Sequence, residues 1–203
     1  MNKYMSQRVT QTPPSGIRKF FDIVATMKDV ISLGIGEPDF HTPSEISRQA
    51  LLDAFDGHTH YTPSKGDTEL INEISVLHSR QAGLLVSPSQ IVITHGGMGA
   101  LACAMQTLVE AGQDVLVPEP FFPAYQAHVG YPGGRLTPIA TRFDEGFSLQ
   151  PDALERAITP TAKVLLLNSP NNPTGCVLSG GVLDELAEVV RSHDLLVVSD
   201  EVY

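Results

Sequence analysis

Hydrophobic positions along this chain follow two periods, and the switching between them outlines a fold. From residue 91 onward, short apolar runs at 91–94, 114–117, 135–139, 163–167 and 195–198 read as strands, and several are separated by apolar residues three or four apart. One helical stretch opens at the glycines after His95 and runs to about Glu110. A second begins at Pro151 and turns Leu154, Ala157 and Ile158 inward. A third is capped by Ser179, with Leu178 and Leu183 placed as a hydrophobic staple and Leu183, Leu186, Ala187 and Val190 as its buried stripe. Alternating strands and helices predict an α/β fold: three layers, α/β/α, around a mostly parallel sheet.

Before residue 91 the pattern is mainly helical. An N-terminal arm, broken by Pro13-Pro14-Ser15-Gly16, leads to a short helix around 17–27, and 30–33 reads as extended. The arm is either a frayed terminus or a segment that packs on a partner subunit. Thr42-Pro43-Ser44-Glu45 has the form of a capping box. The helix after it carries Ile46, Ala50, Leu51 and Ala54 on one face and ends at Gly57. Beyond the loop 60–66, another helix turns Leu70, Ile71, Ile74 and Leu77 inward and stops near Gly83.

The polar residues at strand ends carry the chemistry. The run 163–167 empties into Asn168-Ser169-Pro170-Asn171-Asn172-Pro173-Thr174-Gly175, and the run 195–198 into Ser199-Asp200-Glu201-Val202-Tyr203. Ligands of open α/β sheets sit outside the carboxyl ends of the strands, so Asn172, Asp200 and Tyr203 are placed to converge on one ligand. His95-Gly96-Gly97-Met98-Gly99 joins a predicted strand to a helix; it is either an anion site built from helix N-terminal amides or simply a tight turn. No Lys and Ser/Thr follow its last glycine, so it is not a nucleotide P-loop. Gly34-Ile35-Gly36 is not a dinucleotide fingerprint, because Pro38 and Asp39 stand where a helix start and a third glycine belong. Adjacent Phe121 and Phe122 cannot both face one core easily, which leaves one free to stack on a ring.

Composition narrows the partners. The chain has 203 residues, 42% of them hydrophobic, enough for a real core, and a formal charge of −10. That charge repels phosphate backbones, so nucleic acid is excluded as an expected partner. The longest aliphatic runs have four residues, far short of a membrane span. No apolar signal region opens the chain, and a cytoplasmic protein is the expectation. Cys103 and Cys176 suggest neither a disulfide framework nor a zinc site, and no metal is expected.

With Gly36-Glu37-Pro38-Asp39-Phe40, Tyr61-Thr62-Pro63-Ser64, Asn171-Asn172-Pro173-Thr174-Gly175 and Ser199-Asp200-Glu201-Val202-Tyr203 in order, the chain resembles the class I/II pyridoxal-phosphate aminotransferases of fold type I. The resemblance runs from about Ile17 to Tyr203 and implies roles position by position. Gly97 and Met98 would offer amides to the cofactor phosphate. Phe122 would stack on the pyridine ring, and Tyr125 would line the substrate side. Asn172 and Tyr203 would hydrogen-bond the ring hydroxyl, and Asp200 would keep the ring nitrogen protonated. Gly36 would meet the substrate carboxylate, and Tyr61 would reach the phosphate of the other subunit of a homodimer. The substrates implied are an L-amino acid and a 2-oxo acid.

The same resemblance sets an expectation of incompleteness. The lysines are Lys3, Lys19, Lys28, Lys65 and Lys163, none in the serine-x-x-lysine setting of the family's Schiff-base lysine. Residues 1–32 are expected to be an arm with a short helix, and 33–203 a cofactor-binding large domain cut before that lysine, with the C-terminal small domain absent. Such a piece alone is expected to be inactive. The alternatives within the resemblance are a carbon-sulfur β-lyase of the same fold and a non-catalytic aminotransferase-like binding module.

Overall fold

A computed structural model describes residues 2–11, 23, 24, 26–31, 34, 38 and 40–203. Its helices are α1 (Gln7–Gln11), α2 (Ser44–Phe55), α3 (Thr68–Gln81), α4 (Gly96–Leu108), α5 (Ala124–Gly130), α6 (Pro151–Ala157) and α7 (Gly180–Ser192). Its strands are β1 (Asp114–Glu119), β2 (Arg135–Ala140), β3 (Ala162–Asn168) and β4 (Leu196–Asp200). The backbone gathers into two compact units, Met1–Ser15 with His95–Tyr203, and Gly16–Thr94. Among the described residues no helix is long and apolar enough to cross a membrane.

The first unit holds the sheet, in the order β2-β1-β3-β4 with every pair parallel. Side chains alternate faces along a strand, and β1 and β3 are interior strands apolar on both sides. Val115, Val117, Val164 and Leu166 meet Leu101 and Met105 of α4 and Tyr125 and Val129 of α5 on one face. Leu116, Leu165, Leu167 and Ile139 meet Leu154 of α6 and Leu186 of α7 on the other. This is the expected three-layer α/β/α arrangement with a parallel sheet. Pro138 lies in β2, at the sheet edge, where a missing amide hydrogen does least harm.

The amino ends of the strands are fastened by one buried acid. Asp114, 3% exposed, opens β1 opposite Arg135 of β2. Its Oδ1 accepts from Arg135 Nε at 2.8 Å, and its Oδ2 accepts from the hydroxyls of Thr159 (2.5 Å) and Thr161 (2.7 Å), on the segment that leads into β3. The Arg135 hydrogen bond, helped by the two threonines, holds the Asp114 carboxyl well below the usual carboxylate range against the opposing effect of burial.

Several expectations are corrected. Residues 91–94 form no strand: a strand exists by its ladder, and here Ile93 N donates to Lys65 O at 2.8 Å with no neighbouring strand among the described residues of that unit. There is no capping box before α2, because the cap position falls on Pro43, which has no side-chain acceptor. The Pro43 carbonyl instead accepts from Ile46 and Ser47. The apolar face of α2 is exposed, with Ile46 at 60% and Leu51 at 58%. In α3 only Ile71 is buried, while Leu70 and Leu77 are exposed. In α7 Leu183 is exposed, while Val182, Leu186, Val189 and Val190 pack inward, so the predicted Leu186 and Val190 are kept. Those four positions follow the i, i+4, i+7, i+8 pattern of one helix face. Pro118 lies within β1 rather than beyond it. The predicted helix around 17–27 lies mostly outside the described residues, as do Ser32 and Leu33 of the predicted extended stretch.

In the second unit, Asp67 caps α3 by accepting from the amides of Glu69 (2.9 Å) and Leu70 (3.0 Å). Gly66 has φ +109°, and a Cβ there would stand 2.4 Å from Ile93 Cγ1, so only glycine fits.

Because the folded Asp114 carboxyl is depressed, its contribution to stability is present above about pH 4, the ordinary carboxylate value, and is lost as pH falls through the lower folded value. Asp114→Ala, read by equilibrium denaturation, is expected to cost about 1–3 kcal/mol at pH 7, because it unpairs the Thr159 and Thr161 hydroxyls while the Arg135 it leaves behind is exposed. The variant should also show a flatter loss of stability below pH 4 than the parent; parallel curves would show that the clamp contributes nothing.

Candidate functional site

At the carboxyl ends of β3 and β4, parallel register puts Asn168 beside Asp200. The Asn168 side chain joins the two strand exits. Its Nδ2 donates to the Asp200 carbonyl at 2.9 Å, and its Oδ1 accepts from the Asn172 amide at 2.6 Å. The loop after β3 is braced further by Asn171, whose Nδ2 donates to Pro120 O (3.1 Å) and Thr174 Oγ1 (2.8 Å). The Leu178 amide donates to Ser169 Oγ at 3.0 Å. Asn172 is thereby held, half-buried, with its Nδ2 3.5 Å from the Tyr203 hydroxyl.

The Asp200 carboxylate is met from the side by Tyr125, whose hydroxyl donates to Oδ2 at 2.6 Å. Tyr125 is 1% exposed. Burial, followed by the bond to Asp200 and its charge, pushes the phenol far above the ordinary tyrosine range. Phe122 packs edge-on to Tyr125, with ring centroids 5.7 Å apart and planes at 86°, and borders the same core cluster as α4. A concavity beside Asp200 is lined by Gly97, Ala100, Leu101 and Ala104 of α4 and by Val198. His95, at the cap position of α4, makes no side-chain cap bond, so the first-turn amides are not capped by it. Gly97 has open space where a Cβ would stand, and Met98 is 41% exposed. A second, tighter apolar cavity lies between Tyr125, Leu166 and Cys176; burial pushes the Cys176 thiol up, and no charged group lines that cavity, so it reads as interior packing space.

Of the residues singled out from sequence, the structure brings together Gly97, Phe122, Tyr125, Asn172, Asp200 and Tyr203, with Met98 next to Gly97 on the first turn of α4. Tyr125 presents its hydroxyl to Asp200 rather than to an open face. Tyr61 belongs to the other compact unit and is fully exposed there. Gly36 lies outside the described residues. Sequence reasoning gave Asn168 no role. The signal was available, since Asn168 directly follows the apolar run 163–167, as Ser199 and Asp200 follow 195–198.

The donor set suits pyridoxal 5′-phosphate. Asp200 offers a carboxylate to a ring nitrogen, small residues leave room for a flat ring, and a helix N-terminus favours a phosphate. Over residues 28–203 the chain matches the family described as aminotransferase class I and II. YugH of Bacillus subtilis is 43% identical over 204 residues, covering all of this chain and 53% of that protein. Aspartate aminotransferase of Pyrococcus abyssi is 42% identical and covers 98% of this chain and 51% of its own length. The solved structure of Thermus thermophilus aspartate aminotransferase with maleate superimposes with a TM-score of 0.92 at 36% identity, over 98% of this chain and 53% of that one. The chain thus spans about half the length of the curated relatives it matches.

Asn168→Ala removes both bonds between the strand exits. It is expected to cost about 1–3 kcal/mol and to speed hydrogen exchange at the Asn172 amide. Unchanged protection of that amide would show that Asn168 does not hold the loop.

Proposed function

The chain belongs to the class I and II aminotransferase family, and we propose that it forms the arm (1–32) and cofactor-binding large domain (33–203) of a cytoplasmic, homodimeric amino-acid aminotransferase, transferring an amino group from an L-amino acid to a 2-oxo acid. The single observation that carries this reading is the Asp200 carboxylate, which lines the same concavity as the first turn of α4.

In this reading each residue has one task toward pyridoxal phosphate, which when bound supplies a cationic ring that withdraws electrons from the carbon bearing the amino group. Asp200 holds a proton at the ring nitrogen. Asn172 and Tyr203 hydrogen-bond the ring hydroxyl, consistent with their proximity. The amides of Gly97 and Met98 face the phosphate, where the dipole of α4 favours negative charge. Phe122 stacks against the ring, Gly36 meets the substrate carboxylate, and Tyr61 serves the phosphate of the partner subunit. Proton transfer at the substrate carbon needs a base that these residues do not include. None of the five lysines lies in a serine-x-x-lysine setting, so the 203 residues alone are proposed to be inactive.

Asp200→Ala, introduced into the complete reading frame that contains these residues, should lower kcat/KM by more than roughly a hundredfold while leaving the phosphate subsite intact. The 203 residues purified alone should show no turnover. Near-parental kcat/KM in the variant, or measurable turnover by the isolated 203 residues, would overturn this assignment.

A further inference from the structure

Asp200 ends β4, and among the described residues only the Tyr125 hydroxyl reaches its carboxylate. A carboxylate rotates softly about its last side-chain torsion. Its direction therefore depends on what it bonds to. Tyr125 is well suited to fix that direction. It is fully packed between α4 and the sheet, its ring braces Phe122 edge-on, and its amide donates to the Phe122 carbonyl at 3.1 Å. The raised phenol remains a neutral donor at neutral pH, so it bonds the carboxylate without cancelling the charge. An arginine or lysine in its place would compete with a cationic ring for the same acid.

We propose that Tyr125 is a positioning residue for Asp200: by occupying Oδ2 it presents Oδ1 to the ring nitrogen of pyridoxal phosphate. The inference rests on the function proposed above and assigns Tyr125 to the acid rather than to the substrate side. It also links Phe122, which precedes α5, to Tyr125 in the first turn of that helix, since the two lie three residues apart.

The test is a double-mutant cycle on the enzyme made from the complete reading frame, with pyridoxal 5′-phosphate as the probe and its dissociation constant as the readout. Tyr125→Phe removes one oxygen and keeps the buried ring. It is expected to weaken binding about tenfold in the parental background and less than twofold in the Asp200→Ala background. An equal effect in both backgrounds would show that Tyr125 acts through packing alone and would overturn the inference; so would no effect in the parent. Unchanged affinity in Asp200→Ala by itself would instead overturn the parent reading of the ring-nitrogen contact. If Tyr125→Phe does not fold, the unsubstituted enzyme still decides. The Tyr125 hydroxyl proton resonance should move when pyridoxal phosphate is added, and a resonance that stays in place would refute the inference.

Discussion

The Asn168 amide is the hinge on which the arrangement depends. Parallel pairing of β3 and β4 fixes Asn168 opposite Asp200, and one side chain then ties the Asp200 carbonyl to the Asn172 amide. A strand exit and a loop that would otherwise move independently become one rigid edge. An amide serves here because it donates and accepts at the same time. Aspartate would lose the donor, and leucine would lose both bonds. Preorganisation of this kind lets fixed dipoles and charges act on a ligand without reorganising when it arrives.

The sheet is fastened at both ends by different chemistry. At the amino ends, Asp114, Arg135, Thr159 and Thr161 join β1, β2 and the approach to β3 through a buried acid. At the carboxyl ends, Asn168 and Tyr125 fix the exits of β3 and β4. The two apolar clusters between them keep the strands in register. Asp114 has every oxygen committed to protein donors, as suits a structural acid. Among the described residues Asp200 has a single donor to its carboxylate, the Tyr125 hydroxyl on Oδ2, which leaves Oδ1 open, as the proposed ring-nitrogen contact requires.

The strand ends were legible in sequence because a polar stretch after an apolar run marks the carboxyl end of a strand. That pattern placed Ser199 to Tyr203 and the 168–175 loop at strand ends, and the alternation of runs predicted the layered fold. What failed depended on partners that periodicity does not encode. Residues 91–94 have the composition of a strand but no ladder beside them. The α7 stripe was right at Leu186 and Val190 but took Leu183 for Val182, since the two are equally apolar and only packing separates them. Tyr125 was recognised as part of the site but not its direction, because an aromatic next to a loop fits either a substrate wall or a core. Its contact with Asp200 spans 75 positions.

The most direct measurement of the central claim is the nitrogen-15 chemical shift of ring-labelled pyridoxal 5′-phosphate bound to the enzyme made from the complete reading frame. If Asp200 faces the ring nitrogen, the bound ring is protonated there at neutral pH, and Asp200→Ala moves the shift toward that of the neutral ring. A neutral ring nitrogen in the unsubstituted enzyme, or a shift indifferent to Asp200, would contradict the account.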